Sequence, residues 1–233
     1  MKSFQYDARI VESYPNLVAG VIVASDVKNG PAPAALRDKY HAEQAAVKAR
    51  IGARPLSELP SLSAWRRAIS AFGVSPTKYR SAAEALLRRL TKKGDIPSIN
   101  TLVDIGNLVS IRYGLPVAIF DTNRIAAPIT VHYSDGSEAY MELGSDAIIH
   151  PLPGEVIFSD EKRMVVARRW CWRQSATSAA GENTTDAVIT VEAHHDDGAR
   201  DIECALADLL ALLADFAGGR CESAVLNADN PAI

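Results

Sequence analysis

The amino-acid sequence predicts an α+β fold in which helices pack against mixed or two-layered sheets. Strand-like segments come first, helical segments follow, and paired strand-like segments fill much of the second half. This order lacks the regular strand–helix alternation of a doubly wound fold. The chain has 233 residues, of which 48% are apolar, so it can bury a sizeable core. We therefore predict a single domain over residues 1–233.

The segment 96–121 carries the clearest secondary-structure signals. Asp95, Ser98 and Asn100 are candidate N-caps, and a helix is predicted over residues 100–112. The apolar stripe of this helix contains Leu102, Ile105 and Val109. Further apolar residues flank the stripe, so the helix should be deeply buried. Gly114 is expected to end the helix in a left-handed conformation, and the apolar residues 117–121 then suit a buried strand.

The N-terminal part is predicted to hold two strands and one helix. Residues 4–11 and 17–25 form apolar runs on either side of a turn, and the second run is apolar enough to be central in a sheet. Alanine-rich residues 33–51 indicate a surface helix closed by Gly52.

Three further helices are predicted, over residues 61–72, 81–93 and 201–216. Each shows apolar residues at helical spacing and a glycine just beyond its end. Ser81 and Glu84 have the spacing of a capping box at the start of the second of these helices. The tail after the last helix, residues 221–233, is expected to fray.

Period-two patterns after residue 121 predict two hairpins and a strand. Residues 129–133 and 138–143 flank an Asp-Gly turn, and residues 156–159 and 163–173 flank a second polar turn. A polar loop at 175–186 could cover a pocket, and residues 187–193 then form a strand that carries Glu192.

Composition narrows the classes of function. The net charge of −3 gives no general attraction to nucleic acid, and we expect no DNA partner. No apolar stretch has membrane-spanning length and no Lys/Arg-flanked apolar run lies near the N-terminus, so we expect a cytoplasmic protein. The cysteines Cys171, Cys204 and Cys221 are odd in number and far apart, so we expect buried, reduced thiols.

No cofactor or metal is predicted. The sequence contains neither a glycine-rich phosphate loop nor a dinucleotide fingerprint. His194 and His195 stand beside two aspartates, but neighbours on a strand point in opposite directions and Gly198 follows, so we interpret them as part of a solvated turn.

The densest basic cluster surrounds the predicted helix 81–93. It consists of Lys78, Arg80, Arg88, Arg89, Lys92 and Lys93. Such a cluster either positions the phosphates of an RNA or is a solvated helix face, and the sequence leaves both interpretations open.

The motif at residues 169–173 places two arginines and two tryptophans on one predicted strand. Because side chains alternate along a strand, Trp170 and Trp172 should share the core face. Arg169 and Arg173 should then share the opposite face and point into a cavity beneath the 175–186 loop, where an anion would satisfy them.

The segment 96–121 resembles the B3/B4 domain of the phenylalanyl-tRNA synthetase β subunit. The matching residues are Pro97, Asn100, Val103, Asp104, Asn107, Gly114, Pro116, Phe120 and Asp121. Val191-Glu192 corresponds to a Leu-Glu pair whose Glu lines the editing pocket of that domain. The resemblance extends over about residues 60–215 and implies a three-layer β/β/α arrangement. Gly106 and Ala118 depart from the family pattern, which has Thr and His there.

The resemblance implies a pocket for an amino-acid-like ligand and a tRNA or aminoacyl-tRNA partner. The predicted ligand-binding residues are Asn107, Arg169, Arg173, Thr177 and Glu192. One hypothesis is a freestanding deacylase of mischarged or unusual aminoacyl-tRNA, with Glu192 as the ammonium anchor and an arginine at the oxyanion. The other is a non-catalytic pocket that binds a free amino acid or related metabolite, or docks on tRNA or a synthetase. The absence of a general base at Ala118 separates the two hypotheses.

Overall fold

The computed structural model describes residues 3–145 and 147–233. The helices in these residues are α1 (Ala8–Ser13), α2 (Ala34–Ile51), α3 (Pro60–Ala71), α4 (Ala82–Lys93), α5 (Thr101–Tyr113) and α6 (Gly198–Phe216). The strands are β1 (Phe4–Tyr6), β2 (Val18–Ser25), β3 (Val117–Asp121), β4 (Ile129–Tyr133), β5 (Tyr140–Met141), β6 (Ile148–Ile149), β7 (Val156–Ser159), β8 (Val165–Arg168), β9 (Arg173–Gln174), β10 (Ala187–Ala193) and β11 (Arg220–Leu226).

Two sheets and a layer of helices confirm the predicted β/β/α arrangement. Strands β11, β2, β10 and β3 form an antiparallel sheet in that order. Strands β1, β4, β7, β8 and β9 form a second sheet, in which only the β1–β4 pair is parallel. One hydrophobic core joins the four-stranded sheet to α2, α5 and α6, and another lies between the two sheets.

The alternation of side chains along β10 decides which residues lie between the sheets. Ile189 and Val191 belong to the core beneath the helices, whereas Val188 belongs to the core between the sheets. Thr190 and Glu192 share the face of Val188, because residues two apart on a strand point the same way. Two polar side chains are thereby placed in an otherwise apolar interior.

The central helix α5 has the predicted caps and burial. The Asn100 side chain accepts a hydrogen bond from the Val103 backbone N–H at 3.0 Å, and Gly114 ends the helix at φ +67°. Val109 is fully buried in the core that joins the helices to the four-stranded sheet. Strand β3 begins three residues after Gly114 and pairs with β10.

Both ends of the chain differ from their predictions. Residues 8–13 are helical rather than extended, because the Asp7 side chain caps a helix start by accepting from the Arg9 N–H. The C-terminal tail does not fray. Strand β11 pairs with β2 along seven residues, and the Ser3 and Phe4 N–H groups donate to the Ile233 carbonyl. These backbone bonds hold the terminus.

The predicted hairpin across the Asp-Gly turn is wrong. Strand β4 pairs with β1 and β7, while β5 pairs with β6. The buried Glu138 carboxylate accepts hydrogen bonds from the Ser134 hydroxyl at 2.6 Å and the Gly136 N–H at 3.2 Å. This anchoring closes residues 134–138 into a loop and prevents them from continuing as a strand.

Two local predictions are confirmed only in part. Ser81 caps α4 by accepting from the Glu84 N–H, but the Glu84 carboxylate pairs with Arg66 and Arg80 and does not complete the capping box. All three cysteines are free thiols. Two of them, Cys204 and Cys221, are exposed rather than buried.

Among the residues that the structure describes, no helix is both long and apolar enough to cross a bilayer.

Candidate functional site

A small cavity lies between the two sheets and includes the side chain of Glu192. It offers a water molecule about 70 Å³ of space, and its lining includes Ala118, Phe158, Trp172, Arg173, Thr190 and Glu192. Ala118 stands opposite Thr190 in the β3–β10 pairing. The short side chains at these two positions leave the space that a larger pair would fill.

Glu192 is the most strongly perturbed carboxyl group of the site. It is only 2% exposed, and its Oε1 accepts from the Tyr6 hydroxyl at 2.6 Å and from the Trp170 indole N–H at 3.0 Å. Burial raises the pKa of Glu192 to about 7, although both hydrogen bonds lower it. No described residue donates to Oε2, so one oxygen remains available to a ligand in the cavity.

The main chain around Glu192 is also held in place. The Trp65 indole N–H donates to the Glu192 carbonyl at 3.2 Å. Trp65 and Trp170 pack edge to face with centroids 5.4 Å apart, and Tyr14 packs against Trp170 at 4.7 Å. Aromatic packing thus restricts Trp170, which binds the Glu192 carboxylate, and Trp65, which binds its carbonyl.

The strand predicted over residues 163–173 is interrupted, which corrects the assignment of the two tryptophans. β8 ends at Arg168, and the next two residues, Arg169 and Trp170, have φ of +47° and +59°. Two consecutive positive φ values make a tight turn, so the side chains do not alternate across it. Trp170 is buried as predicted, whereas Trp172 is half-buried at the cavity.

A group of stacked side chains borders the cavity, and we call it the cationic rim. It consists of Lys78, Tyr79, Arg169, Trp172 and Arg173. The Arg169 guanidinium lies 3.7 Å from the Tyr79 ring centroid and 4.6 Å from that of Trp172, and the Arg173 guanidinium lies 4.7 Å from the Trp172 ring. Burial lowers the pKa of Arg169 from its ordinary value. The rim combines positive charge with aromatic faces.

The two predicted arginines occupy different positions. Arg173 lines the cavity and forms an ion pair with Glu142, and its side chain is half exposed. Arg169 lies in the rim, 3.7 Å from the Glu155 carboxylate. The deeply buried guanidinium belongs instead to Arg168, which donates to both Glu155 oxygens at 2.9 and 2.8 Å.

The 175–186 loop is fastened to β3. The Gln174 amide donates to the carbonyls of Ile119 and Ser178, and the Thr184 hydroxyl donates to Asp121. Thr177 bonds to the Ser175 hydroxyl at 2.8 Å and is not among the residues that line the cavity. The loop therefore closes one side of the cavity through Gln174 rather than through Thr177.

Asn107 is not brought to Glu192. It lies on the partly exposed side of α5 near Tyr40 of α2, and it is not among the residues that line the Glu192 cavity. The structure thus unites Arg173 and Glu192 in one cavity and leaves Asn107, Thr177 and Arg169 outside its lining.

The basic cluster around α4 divides into separate groups. Arg80, Arg88 and Lys92 line one surface cleft together with Arg66. Arg89 turns away and donates to the Asp95 carbonyl at 3.1 Å, and Lys78 belongs to the cationic rim. Lys93 is exposed at the end of the helix and does not line the cleft.

The interpretation of His194 and His195 as a solvated turn is wrong. Both are 8% exposed. His194 packs against Tyr14, Trp65 and Trp170, and burial lowers its pKa to about 3. Among the described residues, no group of His, Cys, Asp or Glu side chains is arranged to hold a metal ion.

The comparisons identify the family. The family model described as the B3/4 domain matches residues 64–206, more than half of the chain. This chain belongs to the B3/4 domain family. An N-terminal fragment of the phenylalanyl-tRNA synthetase β subunit from Pyrococcus horikoshii is similar, with a TM-score of 0.49 and 12% identity over 94% of this chain and 50% of that one. The chain thus spans half of that fragment. No curated protein gives a significant match.

Sequence reasoning missed three parts of this candidate site. Tyr6 comes from a strand 186 residues away from Glu192, and no local pattern connects them. Tyr79 joins the cationic rim from the loop before α4, again without a local signal. Thr190 did carry a signal, because Thr190 and Glu192 are two polar residues on the same face of an apolar strand.

Proposed function

We propose that this B3/4 protein binds an aminoacyl ester at the 3′ end of a tRNA and hydrolyses it. The observation that carries this proposal is a buried carboxyl group with one uncommitted oxygen, set in a small cavity beside a cationic and aromatic rim. The resemblance to the editing domain of the synthetase gives the class of substrate.

Glu192 supplies the anchor for the amino group of the substrate. An ammonium ion can donate to Oε2 while Tyr6 and Trp170 hold Oε1. The ammonium would also compensate the buried negative charge, so binding should lower the pKa of Glu192 from about 7. The site therefore selects a ligand with a positively charged amine.

The size of the cavity favours a small amino acid. About 70 Å³ is well below the roughly 300 to 1,000 Å³ of pockets for drug-sized ligands. Phe158 and Trp172 occupy part of the wall. We therefore expect aminoacyl groups of the size of glycine, alanine or serine rather than tyrosine.

The cationic rim suits the terminal nucleotide. Aromatic faces stack on nucleobases, with about 1 to 3 kcal/mol per base, and the guanidiniums offer donors to a phosphate. Arg173 joins the two regions because it lines the cavity and lies over the Trp172 ring. An ester that spans the cavity and the rim would place its carbonyl near Arg173.

Hydrolysis would rely on the substrate for its base. The titratable groups in the lining are Glu192, Cys171 and Arg173, and burial raises the pKa of Cys171. With Glu192 bound to the ammonium, the free ribose hydroxyl next to the ester can relay a proton. Water would attack the carbonyl carbon, the carbonyl–ribose bond would break, and the water proton would pass to the ribose oxygen. Arg173 would stabilise the oxyanion.

The alternative is a non-catalytic pocket for a free amino acid. It is favoured by the same lining, because the described residues supply no separate general base beside Glu192. A free amino acid would place its carboxylate on Arg173 after displacing Glu142.

The deciding experiment is deacylation of a panel of aminoacyl-tRNAs by the purified protein. We expect loss of the ester bond for small aminoacyl groups. The Arg173→Gln variant should turn over at least about tenfold more slowly, since a charged hydrogen bond is worth about 1.5 to 3 kcal/mol. Arg220→Gln is the matched control, because Arg220 is an exposed arginine paired with Asp26 on the edge strand β11.

Two results would separate the candidate functions. Turnover of no aminoacyl-tRNA, together with saturable binding of a free small amino acid that Arg173→Gln weakens, would replace the deacylase with the binding pocket. Parent-like turnover by Arg173→Gln would remove this arginine from the site.

The cleft of Arg66, Arg80, Arg88 and Lys92 is expected to contribute phosphate contacts. Arg88 and Lys92 are exposed and form no ion pair in the described part of the chain. Replacing either by Gln should reduce the slope of log K against log salt by about 1 for tRNA binding. Lys93→Gln is the control on the same helix. Equal slopes of log K against log salt in all three variants would show that the cluster is an ordinary solvated face.

A further inference from the structure

A second cleft lies on the helical side of the molecule and shares no lining residue with the Glu192 cavity. It has a volume of about 290 Å³ and lies between the C-terminal ends of α2 and α5 and the N-terminal end of α6. We call it the α6 cleft. The lining residues that matter here are Arg50, Arg54, Ser61, His195, Asp197 and Arg200.

Four arginines line the α6 cleft, namely Arg50, Arg54, Arg112 and Arg200. The Arg112 guanidinium is paired with Glu43 and Asp208, which leaves three guanidiniums for a ligand. Arg50 donates to the Ile111 and Arg112 carbonyls at the end of α5, which positions its side chain without neutralising its charge. Arg54 donates to the Glu58 carbonyl at 2.8 Å, and its ion pair with the Glu58 carboxylate is long, at 4.0 Å. Arg200 forms no ion pair within the residues that the structure describes.

The start of α6 adds backbone donors. Asp197 is the N-cap residue, but its side chain makes no capping hydrogen bond. The first-turn N–H groups of this 19-residue helix therefore lack the side-chain acceptor that usually satisfies one of them. The positive end of the helix dipole faces the same cleft.

One buried side chain in the lining has a polar atom without a partner. His195 is 8% exposed, its Nε2 lies 2.9 Å from the Asp201 carboxylate, and its Nδ1 has no hydrogen-bond partner. A buried polar atom without a partner costs stability, so His195 indicates a ligand that the cleft accepts. The Ser61 hydroxyl also lines the cleft and makes no hydrogen bond within residues 3–145 and 147–233, which leaves it available to the same ligand.

The charges favour an anion. Asp197 and Asp201 also line the cleft, but Asp201 is bonded to His195. The positive charge of the other three guanidiniums and of the start of α6 exceeds the negative charge of the two carboxylates. The carbonyl ends of α2 and α5 add partial negative charge, which Arg50 offsets in part at α5. Asp197 is free to accept a hydrogen bond from a hydroxyl group on the same ligand. From this arrangement we infer that the α6 cleft is a binding site for a small phosphomonoester, with the phosphate on Arg50, Arg200 and the start of α6.

Calorimetric titration tests this site with two probes, inorganic phosphate and glycerol phosphate, at constant ionic strength maintained by chloride. The parent should bind both saturably, and glycerol phosphate more tightly. Arg200→Gln should weaken both by about tenfold or more, because it removes a charged donor from an exposed side chain. Ser61→Ala should weaken binding by a smaller factor. Arg220→Gln should bind like the parent.

Each of the following outcomes would contradict the proposed phosphomonoester site. A parent protein that binds neither probe at millimolar concentration has no phosphomonoester site. Binding that survives Arg200→Gln and Ser61→Ala but is lost in Arg88→Gln belongs to the cleft on α4. Because the α6 cleft and the Glu192 cavity are separate, loss of phosphate binding should leave aminoacyl-tRNA deacylation at the parent rate.

Discussion

The Val109→Asp variant is expected not to fold. Val109 is fully buried on α5, in the core that joins the helices to the four-stranded sheet. An aspartate there would bury an ionisable carboxylate among apolar neighbours without a partner. The penalty of such a substitution is several kcal/mol, which is comparable to the whole stability of about 5 to 15 kcal/mol of a typical domain.

The matched control is Val103→Asp on the same helix. Val103 is partly exposed and lies in the first turn of α5, where a negative charge is favourable because of the helix dipole. Circular dichroism and thermal melting of both variants give the comparison. Val103→Asp should melt within a few degrees of the parent, whereas Val109→Asp should lack a cooperative transition. A parent-like melt for Val109→Asp would show that α5 is not the central helix.

The sequence was sufficient to predict the secondary-structure elements whose signals are local. Helix α5 has its cap at Asn100, its apolar stripe and its stop at Gly114 within fifteen consecutive residues, and all three are confirmed. Residues 187–193 were likewise predicted as a strand that carries Glu192, and β10 spans the same residues. Such signals lie in residues that are close together in the sequence, so the periodicity of apolar residues detects them.

The parts that failed depend on distant partners. The Glu138 carboxylate folds its own loop through hydrogen bonds, and strand β4 pairs with residues 125 positions upstream and 23 to 29 positions downstream. The turn at Arg169 and Trp170 is another case. Two bulky residues with positive φ are unfavourable by themselves. They are stabilised here by the Trp170 bond to Glu192 and by the stacking of Arg169, which no local pattern reveals.

The predictions for the candidate site divide in the same way, into those that the structure confirms and those that it does not. Its anchor Glu192 and its mouth residue Arg173 were predicted, one from the family resemblance and one from a charged motif. Asn107 was predicted from the family pattern alone, and α5 turns it toward Tyr40 instead. Because Glu192 is buried and its pKa is raised, this carboxyl group should affect stability as well as ligand preference.

The Glu192→Gln variant is expected to change the pH dependence of stability. In the folded protein the pKa of Glu192 is about 7, above the ordinary value of 4.5. The folded state therefore binds the proton more tightly than the unfolded state between pH 4.5 and 7, and the parent loses stability as the pH rises through this range. A shift of this size corresponds to about 3 kcal/mol. The Gln variant cannot ionise and should lack this loss.

Urea unfolding at pH 5 and pH 8 measures the effect, with Glu161→Gln, an exposed glutamate on the β7–β8 turn, as the control. From pH 5 to pH 8 the parent and the control should lose about 2.5 kcal/mol more than Glu192→Gln. A small amine-bearing ligand should reverse the order at pH 8, because it binds the ionised carboxylate and stabilises only the proteins that retain Glu192. Its affinity for the parent should fall below pH 7, where Glu192 becomes neutral. If the free energy of unfolding changed with pH in the same way for all three proteins, Glu192 would already be ionised and compensated without a ligand. The buried carboxyl group would then no longer favour an ammonium group in the cavity.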